Sequence, residues 1–329
     1  MKNITTAVLL LNLGTPDTPT PKAIRRYLRE FLMDSRVIEI PRALWWLILN
    51  GIVLPLRCRP LSEKYTSIWL AQDSPLRFYT QQQADALQAR LDKLQCQVDV
   101  IAVMRYGRPS IRSVIERIQQ QGIDRILLFP LYPQYSATTT ASACDAVFTE
   151  LKQMRNQPAI ATVKHFYRHP AYLQAICQQI SDHWLAVGSP DFAGGDKLLL
   201  SFHGLPYRCV ALGDPYYDEC VATVDLVRQT LNLTDEQILF SFQSRFGREK
   251  WLQPYTVDTL TQLGKIKTKR VDVFCPGFVS DCLETLEEIA IEGKALFLNA
   301  GGQTYHAIPC LNQATCWLDA LQIMVQEQL

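Results

Sequence analysis

The sequence lacks the short motifs that identify the commonest nucleotide-binding and hydrolytic enzymes. It contains no GxGxxG loop and no GxxxxGK[ST] loop, so a phosphate-binding motif is missing. It also lacks GxSxG, the turn that presents the nucleophile of α/β-hydrolases. The charges are balanced, because 33 Lys and Arg against 32 Asp and Glu leave a net charge of +1. Bulk charge therefore gives no reason to expect a nucleic-acid-binding protein.

Disulfide and metal spacings of cysteine are also missing. Ten cysteines are present, but no two stand in a CxxC arrangement, and the N-terminal apolar run is too short for a signal peptide. We therefore expect reduced thiols that mostly pack in the core, in a cytoplasmic protein. With 329 residues, of which 48% are hydrophobic, the chain can bury a full core and is predicted to form two domains.

No apolar run reaches the roughly 20 residues that a membrane-spanning helix needs. The nearest is ALWWLILNGIVLPL (43–56), which Asn50, Gly51 and Pro55 interrupt. This segment fits contact with a membrane surface or a greasy anionic ligand, and it fits equally a buried helix with solvated flanks. Seven arginines flank it: Arg25, Arg26, Arg29, Arg36, Arg42, Arg57 and Arg59.

Eight apolar, β-branched runs bounded by turn residues alternate with helix-like stretches, which predicts α/β architecture with parallel sheets. They divide into two sets of four, with the break near 165–196. Each set opens with a hydrophobic strand that runs straight into a Gly/Pro turn, LNLGTP in the first and SFHGLP in the second. Ligands of such sheets bind beyond the carboxyl ends of the strands. The predicted strands are 7–14, 97–107, 124–134, 159–166, 197–204, 239–247, 271–278 and 294–302.

His203 stands where a predicted core strand breaks at Gly204 and Pro206. An imidazole at this edge of a sheet can exchange a proton or bind a metal, although a single histidine in a tight turn can also serve only as a hydrogen-bonding plug. Tyr132 and Tyr135 stand at the strand-to-helix turn near the end of the predicted strand 124–134, where they could form the wall of a flat apolar pocket.

An acidic stretch, CPGFVSDCLETLEEIAIEG (275–293), reads as a strand end, a turn and a helix. Asp281 is a good N-cap residue, and Glu284 three residues later completes a capping box. Helical geometry gathers Glu284, Glu288 and Glu292 on one side, opposite an apolar side. The row fits a solvated surface helix, but it lacks Lys and Arg and reaches the helix C-terminus, where the dipole disfavours anions. Passage of cations or protons would explain such a row.

The sequence resembles the ferrochelatases, the enzymes that insert ferrous iron into a porphyrin, over essentially its whole length. The shared motifs are collinear: LLLNLGTPDTP, MRYGRPSI, FPLYPQYSATTT, SFHGLP with GDPYY, FQSRFGREKWLQPYT, CPGFVSDCLETLEEIA and NAGGQTYHAIPCLNQ.

The resemblance implies a fold of two Rossmann-like domains, each a four-stranded parallel sheet flanked by helices, with a cleft between them. The expected domains are 1–165, with a porphyrin-lip segment at about 41–75, and 166–307, which carries His203 and the acidic helix. A C-terminal helix, 308–329, is expected to pack back on the body.

The resemblance also implies roles for residues. His203 matches the family's active-site histidine and Glu284 the opposing carboxylate, so both are expected to be catalytic and to contact the metal. Glu288, Glu292 and Asp281 are expected to continue the path for metal or protons. We favour His203 as the acceptor of a pyrrole proton and the glutamates as the metal side, and the opposite assignment is left open. The expected porphyrin-binding residues are Leu13, Arg36, Arg105, Tyr106, Tyr132 and Ser136.

The sequence departs from the family pattern in places. Cys282 stands where the animal enzymes have a histidine, and Ala211 stands where family members commonly carry a charged or amide residue. The Cys-rich C-terminal extension that holds a [2Fe–2S] cluster in some members is not found. The alternative bacterial arrangement would have only Cys144, Cys310 and Cys316. We expect no cluster and no cofactor beyond the substrate Fe²⁺.

The function that follows is a ferrochelatase, a lyase that converts protoporphyrin IX and Fe²⁺ to protohaem in the terminal step of haem biosynthesis. Two alternatives are kept: the same reaction on coproporphyrin III, and a porphyrin or haem carrier without turnover. A cobalt or nickel chelatase is disfavoured, because those relatives commonly bring more histidines to the metal side. No nucleic-acid partner is expected. The protein is expected to be cytoplasmic, with peripheral contact at the inner membrane surface through 43–56 left open.

Overall fold

The first sheet has four parallel strands. The computed structural model describes residues 5–247 and 249–329. The strand order is β2-β1-β3-β4, and residues 7–11 of the central strand are completely buried. A strand covered by helices on both faces reads as a continuous apolar run, as AVLLL does. The strands are β1 (Thr6–Gly14), β2 (Val98–Tyr106), β3 (Arg125–Pro130) and β4 (Ala159–Thr162).

Three helices of the first half begin at side-chain caps. Thr20, Ser74 and Ser110 each accept a hydrogen bond from the backbone N–H three residues later, which satisfies one of the free donors of a helix start. Two π-helical segments, Leu49–Val53 and Ala137–Ala141, precede α-helices. The α-helices are α1 (Pro21–Leu32), α2 (Arg42–Ile48), α3 (Leu54–Ile68), α4 (Pro75–Lys93), α5 (Ile111–Gln121) and α6 (Ser142–Leu151).

The second sheet repeats the first. It also has four parallel strands, in the order β6-β5-β7-β8, so the first strand of each half takes the same central place. The two sheets confirm the predicted α/β class with four parallel strands in each half. The strands are β5 (Lys197–His203), β6 (Ile238–Gln243), β7 (Arg270–Phe274) and β8 (Thr304–Ala307).

Helices of the second half include a ten-residue π-helical segment, Glu284–Gly293, which runs directly into an α-helix. An aromatic group of Phe166, Tyr172 and the fully buried Trp317 packs the first and last of these helices. The α-helices are α7 (Pro170–Val187), α8 (Tyr207–Ala211), α9 (Tyr216–Thr230), α10 (Thr256–Lys265), α11 (Lys294–Asn299) and α12 (Thr315–Gln326).

The chain divides into two compact units. The first contains the described residues up to Tyr132 together with 136–164 and 322–329, and the second contains 133–135 and 165–321. The segment 308–329, which the sequence analysis set apart, is thus shared between the units, with 308–321 in the second.

The predicted strand at 294–302 is wrong. Residues Lys294–Asn299 form α11, and the edge strand β8 begins at Thr304. KALFLN contains no β-branched residue, and Lys, Ala and Leu are good helix formers, so a short apolar run was mistaken for a strand. The turn at Gly301, whose φ is +113°, separates this helix from β8.

Candidate active site

His203 is the last residue of β5, and the turn after it requires glycine. A Cβ at Gly204 would lie 2.7 Å from the backbone oxygen of Gln243 and 3.1 Å from the Trp251 ring. The Nδ1 atom of His203 lies 2.7 Å from the Gly204 carbonyl oxygen, which can only accept. Nδ1 therefore carries the proton, and a neutral His203 keeps the lone pair of Nε2 for another partner.

Two aromatic residues fix the surroundings of this histidine. The Tyr216 hydroxyl donates to the His203 carbonyl oxygen at 3.0 Å, and the Phe278 ring centroid lies 6.4 Å from the imidazole centroid. Burial raises the pKa of Tyr216 well above its ordinary value, so the phenol stays protonated. The imidazole is only partly exposed, beside an apolar ring.

The acidic helix does not begin with the predicted capping box. The Asp281 N–H donates to Asn312 Oδ1 at 2.8 Å, and its carboxylate accepts from Thr285 Oγ1 and Asn312 Nδ2. Thr285, not Glu284, turns back to the helix start, because its hydroxyl accepts from the Cys282 N–H at 3.0 Å. Asp281 is buried and anchors the turn, which leaves the Glu284 side chain available for another role.

Burial along the segment does not divide cleanly between acidic and apolar residues. Glu287 is only 7% exposed, while Ile291 is 50% exposed. The segment is π-helical, with i→i+5 hydrogen bonds, so its faces differ from those drawn at 100° per residue. Glu284 and Glu288 are half-buried, and Glu292 is exposed. The row thus runs from a partly buried end to solvent.

Ser244 holds the second carboxylate of the row. Its N–H donates to Glu288 Oε1 at 2.6 Å and its hydroxyl to Oε2 at 2.5 Å. Ser244 follows β6 directly and has a φ of +65°, a conformation that is uncommon for residues other than glycine. This backbone turn aims both donors at one carboxylate.

The electrostatics of Glu288 link it to the two predicted catalytic residues. Burial raises the pKa of this carboxyl above its ordinary value, although the Ser244 hydrogen bonds and the charge of His203 act to lower it. The charge of Glu284 acts to raise it further. Glu288 therefore lies within electrostatic reach of His203 and Glu284, and these three residues form the candidate cluster.

A network of buried polar side chains holds the backbone next to this cluster. Gln243 Nε2 donates to the Glu284 carbonyl oxygen at 3.2 Å, and Ser201 Oγ donates to Gln243 Oε1 at 2.6 Å. The hydroxyl of Thr256 lies within 2.9 Å of those of Ser201 and Ser241. The first turn of the acidic helix is thereby tied to β5, β6 and α10.

Cys282 is not suited to be a thiolate ligand. Burial, the Glu284 charge and a hydrogen bond with Glu284 raise its pKa well above the ordinary value of a thiol. The residues that could hold a metal ion here are thus His203 through Nε2, Glu284 and Glu288. Within residues 5–247 and 249–329, no group of three or more His, Cys, Asp or Glu forms a ready metal cage.

No role in this site was assigned from the sequence to Ser244, Gln243 and Trp251. Ser244 and Gln243 lie at a predicted strand end, and this position was the feature of the sequence that could have indicated a role. Their partners, however, are 41 to 44 residues away in sequence. The indole Nε1 of Trp251 is buried and has no hydrogen-bond partner in the described part of the chain.

In the first unit, Arg105 and Tyr106 lie together at the end of β2. Both bind the Asp34 carboxylate, Arg105 Nη2 at 2.5 Å and the Tyr106 hydroxyl at 2.8 Å, and Ser142 Oγ donates to it as well. Burial alone would raise the pKa of Asp34, but the hydrogen bonds from Ser142, Arg36 N–H and Tyr106 and the Arg105 charge lower it. This edge carries a satisfied ion pair.

The other predicted porphyrin-binding residues lie in the same unit. Arg36 is paired with Asp145 at 2.8 Å, and Ser136 caps the segment that begins at Ala137. Leu13 is partly exposed near the end of β1. The Tyr132 hydroxyl is buried and has no hydrogen-bond partner among the described residues.

An open cavity of about 820 Å³ lies beside the Asp34 ion pair. Its charged lining includes both signs, so no single ligand charge is favoured. The lining residues are Glu30, Met33, Asp34, Ser35, Arg42, Arg105, Asp145, Ala146, Phe148, Thr149 and Lys152.

The segment 43–56 is not a buried helix. It is helical and presents large apolar side chains to solvent, while Trp45, Leu49 and Leu54 are buried. No helix in the described part of the chain is long and apolar enough to cross a membrane. The exposed side chains are Leu44, Trp46, Leu47, Ile52 and Leu56.

The three cysteines considered for a cluster are protonated thiols in this structure. Burial raises the pKa of Cys144 to about 11 and raises the pKa of Cys310 and Cys316 as well. Cys144 lies in the first unit and the other two in the second. The expectation that the protein binds no cluster stays a prediction.

Comparison with known proteins gives one family and a set of folds. A family model described as Ferrochelatase matches residues 5–329. Among solved structures, SirB from Bacillus subtilis with Fe³⁺ is similar, with a TM-score of 0.57, 13% identity, and coverage of 98% of this chain and 95% of SirB. At such identities, structural likeness shows the fold alone.

Two further structures share that fold. The sirohydrochlorin chelatase SirB from Bacillus subtilis subspecies spizizenii, in complex with cobalt, has a TM-score of 0.53 at 12% identity, covering 98% of this chain and 94% of SirB. DR2241 from Deinococcus radiodurans, a multi-domain protein with structural similarity to chelatases, has a TM-score of 0.56 at 11% identity. The match covers 99% of this chain and 56% of DR2241.

Proposed function

Because the chain belongs to the ferrochelatase family, whose members insert a metal into a tetrapyrrole, we propose that it inserts Fe²⁺ into protoporphyrin IX to give protohaem. The observation that carries this proposal is the cluster of His203, Glu284 and Glu288. It combines an imidazole whose Nδ1 lies on the Gly204 carbonyl oxygen with two half-buried carboxylates.

The reaction sets the chemical demands on this cluster. Free-base porphyrin loses two pyrrole protons, and Fe²⁺ exchanges its water ligands for four ring nitrogens. The imidazole of His203 suits the first demand, because Nδ1–H is fixed on Gly204 and, in the neutral ring, Nε2 can accept a proton. An apolar environment such as Phe278 offers the flat ring a surface on which binding energy can distort it.

Carboxylates meet the second demand. Oxygen ligands suit Fe²⁺ as it loses water, and Glu284 is placed to receive the ion from the row that ends at the exposed Glu292. Glu288 has a raised pKa, so it can also hold a proton on the way to solvent. Asp281 supports the row by fixing the turn that precedes it.

Protoporphyrin is favoured over coproporphyrin III because of the exposed apolar side chains of segment 43–56. Protoporphyrin has two carboxylates and coproporphyrin has four, so a greasy surface suits the former. Metallation of each porphyrin by the purified protein with Fe²⁺, followed as loss of free-base absorbance, tests the choice. A higher kcat/KM for coproporphyrin III would reject it.

A carrier without turnover is the competing class. His203→Ala should lower metallation by about a thousandfold while porphyrin binding, measured by quenching of protein fluorescence, stays within a few-fold. Loss of haem affinity, with no turnover in either protein, would instead identify an axial haem-binding protein.

Segment 43–56 is also proposed to contact a membrane surface. Five exposed apolar side chains beside arginines fit the interface of an anionic bilayer. Cosedimentation with vesicles of anionic lipid should fall for Leu47→Ser, whose native side chain is 62% exposed. Equal cosedimentation of the two proteins would contradict this proposal.

A further inference from the structure

A pair of histidines lies in the second unit on elements that the proposed reaction does not use. His183 is on α7 and His306 is on the edge strand β8. Their ring centroids are 5.5 Å apart, with the planes at 72°. Both rings are partly buried.

The separation of the rings matches that of two ligands on one ion. An imidazole nitrogen binds Zn²⁺ at about 2.0–2.1 Å, so two rings on one tetrahedral ion have centroids about 5 Å apart. Partners four residues apart on a helix are the familiar source of such pairs, but here a helix and a strand supply one histidine each. The fold, rather than a local spacing, brings them together.

A structural explanation of the pair would make the nearby Asp272 a hydrogen-bond partner. Asp272 is fully buried and is the direct strand neighbour of His306. Its two oxygens already accept from Arg270 Nε, Arg270 Nη2 and Trp184 Nε1, each at 2.8 Å. Three of the roughly four acceptor positions of the carboxylate are therefore occupied by other donors.

The result is an unsatisfied nitrogen. His183 Nε2 is buried and has no hydrogen-bond partner in the described part of the chain. A buried polar atom without a partner destabilises the folded protein. Binding a ligand at this nitrogen would remove that destabilisation.

Burial favours the neutral form of both rings. Burial lowers the pKa of His183 and of His306, and Arg270 acts in the same direction while Asp272 opposes it. Lys294 adds to the lowering at His306. The neutral imidazole is the form that ligates metals.

We infer that His183 and His306 form a binding site for a divalent transition-metal ion such as Zn²⁺, with water completing the coordination. The inference does not rest on the proposed function. Two protein ligands, with the positive charges of Arg270 and Lys294 nearby, give modest affinity. The ion is therefore expected to be exchangeable.

Zn²⁺ titration of the whole protein against a chromophoric chelator tests the site. His183→Gln and His306→Gln should each lose one equivalent of bound Zn²⁺ while porphyrin metallation continues. Lys294→Gln should bind that equivalent about threefold more tightly, because one exposed positive charge is removed. His169→Asn is the matched control, since asparagine keeps the N-cap that His169 supplies to α7 and should leave the titration unchanged.

Unchanged stoichiometry and affinity in both His→Gln variants would overturn the inference. If either variant fails to fold, the wild-type protein decides. Crystals soaked in Zn²⁺ should show an anomalous peak within about 2.1 Å of a nitrogen of each ring. Anomalous peaks found elsewhere and not at this pair would also reject the site.

Discussion

The carboxyl edges of the two sheets share a close approach of neighbouring strands but differ in their chemistry. In each, a glycine at the end of the central strand presses against the end of the neighbouring strand: Gly14 on Tyr106 in the first sheet, and Gly204 on Gln243 in the second. The first edge ends in an ion pair of Arg105 and Asp34 whose donors and acceptors are matched. The second leaves an imidazole nitrogen and carboxylates available for a substrate.

The comparison shows that the topology brings the strand ends close together. The side chains at those ends then determine whether the edge stabilises the unit or is suited to chemistry. A satisfied ion pair stabilises the unit in which it lies. Carboxylates with raised pKa, such as Glu288, are instead destabilising in their charged form, a cost that is common at catalytic sites. Substitutions on the two edges should therefore affect different properties.

The largest effect is expected on the chemistry of the second edge. Glu284→Gln keeps the shape of the side chain and removes its charge, so kcat for metallation should fall about a hundredfold to a thousandfold with little change in thermal stability. Glu292→Gln is the matched control at the exposed end of the same row and should change kcat less than threefold. Equal losses in the two variants would contradict the assignment of Glu284.

The next effect is on the shared backbone feature. Gly14 has a φ of +111°, and a Cβ there would lie 1.8 Å from the Tyr106 carbonyl oxygen, so Gly14→Ala should cost at least about 3 kcal/mol in unfolding free energy. Gly204→Ala should cost less, because its nearest contact is 2.7 Å. Gly51→Ala, with no atom within 4 Å of the new methyl group, should stabilise by about 0.5–1 kcal/mol. Denaturant unfolding measures all three, and a stable Gly14→Ala protein would reject the argument.

A third prediction concerns the ion pair of the first edge. The pKa of Asp34 is lowered in the folded protein, so its stabilisation is present above the unfolded pKa and is lost as pH falls through the folded value. Asp34→Asn should lower the unfolding free energy at pH 7 by about 2 kcal/mol and flatten its decline between pH 5 and pH 3. An unchanged pH dependence would show that Asp34 does not contribute in this way.

The smallest effect concerns Ser244 at the second edge. Its hydroxyl lowers the pKa of Glu288, so Ser244→Ala should raise that pKa and move the acid side of the kcat/KM profile upward by about one pH unit. Ser241→Ala is the control, because that hydroxyl bonds Thr256 and not Glu288. An acid limb that does not move in Ser244→Ala would mean that Glu288 need not be charged.

Much of the fold followed from the sequence because buried parallel strands read as continuous apolar runs. Seven of the eight predicted strands overlap observed ones, and the failure at 294–302 came from a run that lacks β-branched residues. The position of His203 was predictable from the break at Gly204. Its roles as proton acceptor and metal ligand stay predictions.

The support of the site could not be predicted in the same way. Ser244 reaches Glu288 across 44 residues, and Asp281 bonds Asn312 across 31. Such contacts depend on which strand ends meet, which local patterns do not encode. The capping box failed for a related reason, since Asn312 took the N–H that Glu284 was expected to accept from.

The hydrogen bonds that join Ser201, Gln243 and Glu284 affect the local stability of the acidic row, which hydrogen exchange can measure. The first turn is held by a buried amide and hydroxyls, so its backbone amides should exchange hydrogen for deuterium only in large-scale opening. Ile291 and Glu292 carry exposed side chains and receive no hydrogen bond from Gln243, so their amides should exchange through smaller, local openings. The acidic row is thus expected to be rigid at Glu284 and more compliant at Glu292.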